Sequence, residues 1–177
     1  MKQTFFHIRE FNKKKLYMYF FLNMLVVALL IFTSTFKIKE GIGFTVLVGA
    51  LVFLLLICMY LLIEFIILIP TSPASIKNIC IGSILLLTLI LMTYASLYLH
   101  VYRAKGKKAF VFTGESLSVN DFLYYSITTF TTTGYGDITS IGIISNILAA
   151  SEMLMGFITS TILMAILTAK LIKKLGN

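Results

Sequence analysis

The sequence predicts an all-α membrane protein of four transmembrane helices, with a short re-entrant helix and loop placed before the last of them. Three observations carry this reading. Of 177 residues, 59% are apolar and only 12% are charged, and the mean hydropathy is +0.97. A water-soluble domain of this size needs far more charge on its exterior. Four apolar stretches are each long enough to cross a hydrocarbon core, which takes about 20 helical residues. Between the third and the fourth lies a glycine-bearing segment that is too polar and too short to span.

The first span is expected over Leu16–Phe36, after the basic run Lys13-Lys14-Lys15. A basic flank also precedes cleaved leaders. This apolar run is longer than a leader core, however, and no small-x-small site follows it before Lys37, so an uncleaved anchor is expected. The second span, Gly43–Ile69, ends at Pro70-Thr71-Ser72-Pro73, which breaks helix and sets a turn. The third is expected over Ile79–Val101 and the fourth over Ile141–Leu167. Neither of the first two spans carries the Arg or Lys ladder at three-residue spacing that a voltage sensor needs.

The net charge of +8 raises the question of nucleic acid. The lysines and arginines mostly flank the apolar runs, which is the signature of membrane topology, and no nucleic-acid partner is expected. Basic residues both before the first span (Lys2, Arg9, Lys13, Lys14, Lys15) and after the last (Lys170, Lys173, Lys174) place both termini in the cytoplasm of a multi-pass cell-membrane protein. Arg103, Lys105, Lys107 and Lys108 run against that rule and are expected outside, where they would repel cations. Phe5, Ile8 and Phe11, set among basic side chains, lie along the inner membrane surface or belong to a solvated terminus. His7 and His100 read as interface side chains, and Cys58 and Cys80 as packed thiols.

The segment Ser118–Ser140 carries the chemistry. Ser118 and Asp121 have capping-box spacing, so a short helix starts there. It leads into Thr132-Thr133-Gly134-Tyr135-Gly136-Asp137, a poor sequence for regular helix or strand. Irregular backbone at membrane depth is tolerated where it lines an aqueous path. A dehydrated cation needs oxygens in place of its water, and backbone carbonyls supply them if successive ones face a single axis. Alternating left-handed residues achieve this, and glycine adopts that conformation without steric cost. Gly134 and Gly136 answer that requirement.

The string TTTGYGD resembles the filter motif of potassium channels, and the plan helix–short helix–filter–helix resembles their pore module. A string such as GYGD arises by chance on the order of once in 10⁵ positions at average composition. The resemblance covers a little over half the chain and implies a pore domain 79–175. Before it, the apolar runs and charges set a cytoplasmic segment 1–15 and two N-terminal transmembrane helices 16–78, to which the resemblance does not extend. It implies a tetramer of identical subunits, because one loop supplies a quarter of a filter. It further implies K⁺ at the carbonyls of Thr132, Thr133, Gly134 and Tyr135, with the Thr132 hydroxyl adding the innermost ring and Asp137 at the outer mouth.

Tyr135 is expected to wedge against Tyr124 and Tyr125 of the short helix, whose partly negative C-terminal end faces the ion path. Gly156 falls where the family carries a hinge glycine, and equally suits close helix packing. Phe157, Ser160 and Met164 are candidates for lining the cavity.

Two positions depart from the family pattern. Thr133 replaces the usual Val or Ile, which opens the alternative of a weakly selective cation channel. Thr128 replaces a Glu that in some relatives contacts the filter aspartate. Glu152 is an intramembrane acid and therefore costly. It is expected to brace the filter from behind by accepting from hydroxyls such as Thr128 or Thr129, with a subunit-interface or pH-sensing role as the alternatives. Glu64 is expected to snorkel to the interface. No cofactor is implied beyond K⁺ as permeant ion, and no nucleophile–base or metal-ligand cluster suggests an enzyme. An ion-transporter or accessory subunit is less well matched by one intact motif. A ligand that regulates the chain is expected to bind the membrane part or another protein, an unidentified regulatory partner.

Overall fold

In the computed structural model, residues 13–35, 42–69 and 75–175 are described. The expectations for residues 1–12, including Phe5, His7, Ile8 and Phe11, and for the turn at Pro70–Pro73 lie outside them. Helices α1 (Lys13–Thr35), α2 (Ile42–Leu68), α3 (Ile76–Lys105) and α5 (Ile143–Leu175) are long and apolar enough to cross a membrane. The short helix α4 (Val119–Phe130) stands between α3 and α5. Helices satisfy their own backbone, the condition for crossing lipid.

Helix ends differ from the expected spans for identifiable reasons. Helix α3 starts before Ile79 because Ser75 caps it, its side chain accepting from the amide of Asn78 at 3.4 Å. Helix α5 starts after Ile141 because the amides of Ile141 and Gly142 are drawn to the carbonyl of Ala109. It continues past Leu167 because nothing in Thr168–Leu175 breaks a helix, and at 33 residues it is longer than a hydrocarbon core of about 30 Å.

Helix α3 is the central element and the most buried of the four: α1, α2, α4 and α5 all pack on it. Side chains tie the peripheral helices to it. The Asn23 amide donates to the carbonyl of Leu85 at 2.8 Å, and the Arg103 guanidinium donates to the carbonyl of Thr33. His100 does not sit at an interface with solvent. It is 2% exposed, with Nδ1 2.6 Å from the carbonyl of Ser96 and its ring 5.8 Å from that of Phe44 on α2. Glu64 is ion-paired with Lys15 at 2.6 Å, because the start of α1 and the end of α2 lie at the same end of the bundle.

The all-α expectation needs one addition. Strand β1 (Phe110–Phe112) pairs antiparallel with β2 (Ile138–Ser140), Val111 facing Thr139. The ribbon fastens the segment that follows α3 to the segment that follows Asp137.

Candidate functional site

Helix α4 opens as its spacing predicts. Ser118 is the N-cap, and Asp121 Oδ2 accepts from both the amide and the hydroxyl of Ser118 at 2.7 Å. Phe122, Tyr125, Ser126 and Thr129 recur at helical spacing and are buried toward α3 and α5, while Tyr124 and Ile127 stay exposed.

Behind α4 lies an aromatic cluster. Tyr94, Tyr98 and Tyr102 of α3 are four residues apart and so share one face. The Tyr98 ring meets Tyr125 edge-on at 4.9 Å and Phe110 at 5.9 Å, and Tyr102 meets Phe122 at 5.4 Å. Edge-to-face contacts of this kind are favoured by the ring quadrupole. Tyr125 is therefore a core residue of the cluster, and the structure does not bring it to Tyr135. Tyr124 does stack on Tyr135, with centroids 6.4 Å apart and planes 7° from parallel. The Asp137 carboxylate beside Tyr124 raises the phenol's pKa by hydrogen bonding and by charge.

Glu152 is fully buried on α5. Its carboxylate accepts from the hydroxyl of Tyr98 at 2.6 Å and from that of Ser126, so it joins α3, α4 and α5. The expected donors Thr128 and Thr129 are not the ones used. The Thr128 hydroxyl turns back to the carbonyl of Tyr125 at 3.0 Å, whereas Ser126 lies on the face of α4 that meets α5. One turn along α5, a Cβ added to Gly156 would stand 1.9 Å from the carbonyl oxygen of Phe130. Helix α5 runs unbroken through Gly156, whose backbone packs closely against the end of α4. Phe157, Ser160 and Met164 are exposed on α5, along one stripe with Met153.

The loop after α4 folds against that helix's own last turn. The amide of Thr132 donates to the carbonyl of Thr129 at 3.0 Å, and the amides of Thr133 and Gly134 donate to that of Thr128 at 2.9 and 3.2 Å. Helix-terminal carbonyls that would lack partners are thereby satisfied by the loop. Left-handed φ angles recur at every second residue: 57° at Thr132, 50° at Gly134 and 81° at Gly136. Thr132 is the one non-glycine with positive φ among the described residues. At Gly134 and Gly136 no atom lies within 4 Å of an added Cβ, so backbone conformation rather than space calls for glycine. The Thr132 hydroxyl donates to the carbonyl of Thr131 at 2.7 Å, and that of Thr139 donates to the carbonyl of Gly136 at 3.3 Å. Residues 131–137 are all exposed on the single chain. Behind them is a pocket of about 320 Å³ bounded by Tyr125, Thr128 and Thr129 of α4, by β2, and by Ala149 and Met153 of α5.

Sequence reasoning missed Ser126, Tyr98 and Thr131. The four-residue spacing of Tyr94, Tyr98 and Tyr102 was the available signal for the second. Comparison with curated proteins and with solved structures returns no match. A protein-family model described as an ion channel matches residues 84–173, just over half of the chain, and that span takes in most of α3, all of α4 and its loop, and nearly all of α5. The chain is a multi-pass membrane protein that belongs to the ion channel family, with its pore module in that span.

Proposed function

We propose that the chain is one subunit of a homotetrameric, potassium-selective channel that conducts K⁺ passively across a cell membrane, both termini in the cytoplasm. The observation that carries this reading is the left-handed backbone at Thr132, Gly134 and Gly136. An ordinary extended chain points its carbonyls alternately to either side. Left-handed residues at every second position turn them to one side, as a ring of dehydrating oxygens requires.

Four copies of the loop then enclose an axis, with K⁺ held by the carbonyls of Thr132, Thr133, Gly134 and Tyr135 and with Asp137 at the outer mouth. The exposure of residues 131–137 on the single chain supports this, because such a loop is incomplete without its copies. Glu152 acts as a brace through Ser126 and Tyr98, and Tyr124 supports the outer end of the loop. The open stripe Met153–Phe157–Ser160–Met164 lines the water-filled cavity. The first two helices form a scaffold around α3.

Proteoliposomes loaded with K⁺ and diluted into Na⁺ test the proposal. An outward K⁺ leak should drive proton uptake in the presence of a protonophore, and no uptake with clear Na⁺ entry would refute potassium selectivity.

A further inference from the structure

Within the loop, the side chains of two threonines form a chain of hydrogen bonds. Thr131 Oγ1 lies 2.8 Å from the carbonyl oxygen of Ile127, 3.4 Å from that of Thr128 and 2.9 Å from Thr133 Oγ1. A hydroxyl has one proton to give and two lone pairs to receive with, whereas a carbonyl only accepts. The shortest of these contacts is the bond to the carbonyl four residues back, a habitual partner of threonine in helices. With the Thr131 proton placed there, the donor of the 2.9 Å bond is Thr133. The order is Thr133 hydroxyl to Thr131 hydroxyl to Ile127 carbonyl. The Thr133 amide is drawn the same way, to the carbonyl of Thr128 at 2.9 Å.

We propose that Thr131 and Thr133 form a relay that sets the specificity of the loop, Thr133 being a positioning residue whose hydroxyl is held off the ion path so that only its carbonyl faces the ion. The inference rests on the potassium reading above. A threonine hydroxyl released at this position can rotate between staggered wells and offer an extra oxygen, which favours a smaller, more strongly hydrated cation. Anchored to Thr131, it is held in one rotamer. The liberty that a threonine in place of a branched apolar residue would give to Na⁺ is thereby removed.

The proposal makes an asymmetric prediction. Thr131→Val frees the Thr133 hydroxyl and should lower the K⁺/Na⁺ permeability ratio about tenfold, the scale of one hydrogen bond. Thr133→Val removes the hydroxyl altogether and should leave the ratio near wild type. The double variant Thr131→Val/Thr133→Val should return to the ratio of Thr133→Val alone. A Thr131→Val ratio equal to wild type, or a double variant as unselective as Thr131→Val, overturns the proposal. The melting temperature of the purified full chain supplies a readout independent of current: the double variant should fall no further than Thr131→Val alone, and additive losses overturn the relay. A wild-type reversal potential near zero would refute the potassium reading and with it the specificity role, while the melting cycle still decides whether the relay exists.

Discussion

The backbone of Gly156 on α5 lies against the backbone of Phe130, the last residue of α4, so closely that a methyl group at position 156 would stand 1.9 Å from the Phe130 carbonyl oxygen and 2.8 Å from its carbon. The obstacle is backbone, which cannot swing aside. Gly156→Ala should therefore force the two helices apart at the point where α4 hands over to the loop. The expected loss is about 3 kcal/mol, at the upper end for overpacking, read as a fall in melting temperature in detergent. Gly142→Ala, whose added carbon would lie 3.1 Å from the carbonyl oxygen of Lys108, should cost about 1 kcal/mol.

Glu152 binds two hydroxyls in a site closed to solvent. Removing the acceptor opens a void and leaves the Tyr98 hydroxyl without its partner, while Ser126 keeps the carbonyl of Leu91 at 3.0 Å. Glu152→Ala should thus destabilise by about 3–5 kcal/mol, while Tyr98→Phe and Ser126→Ala should each cost about 1–3 kcal/mol. The losses should be non-additive with Glu152→Gln, because the groups share one network. Strictly additive melting shifts would remove Glu152 from the role of brace.

Alanine at Gly134 or Gly136 tests conformation separately from packing. No atom waits near either position, so the cost is confined to holding an L-residue in the left-handed region, about 1–2 kcal/mol. The helical circular dichroism should change little and the melting temperature should fall by only a few degrees, while K⁺ flux should be lost. Preserved flux in either variant would show that alternating left-handed backbone is not what conducts.

Lys15 and Glu64 form a partly buried pair between α1 and α2. Glu64→Gln should cost about 1–3 kcal/mol by leaving the lysine uncompensated, and the charge-swapped double variant Lys15→Glu/Glu64→Lys should recover part of that loss. Neither variant should change ion selectivity, since the pair ties the peripheral helices and does not touch α4 or its loop.

Much of this arrangement was legible in the residues. Long apolar runs separated by polar breaks locate helices by length alone, and the Ser118–Asp121 spacing marks the start of α4. Gly134 and Gly136 announce left-handed backbone because nothing else explains two glycines around one tyrosine. Thr132 does not announce it, since a β-branched residue is a poor occupant of that region, and only the surrounding hydrogen bonds impose it. The ribbon was invisible for another reason: a strand of three residues is too short to show a period. The partners of Glu152 depend on the rotation of α4 about its own axis. Sequence spacing places Ser126 and Thr128 on α4 but does not say which of them meets α5, and the spacing of Tyr94, Tyr98 and Tyr102 marks one face of α3 without saying that it meets Glu152.

The measurement that bears most directly on the central claim is the reversal potential of the purified chain in a planar bilayer, with K⁺ on one side and Na⁺ on the other. A selective filter built from Thr132–Gly136 requires a reversal near the potassium equilibrium potential, lost in Gly134→Ala. A clear current reversing near zero would contradict it.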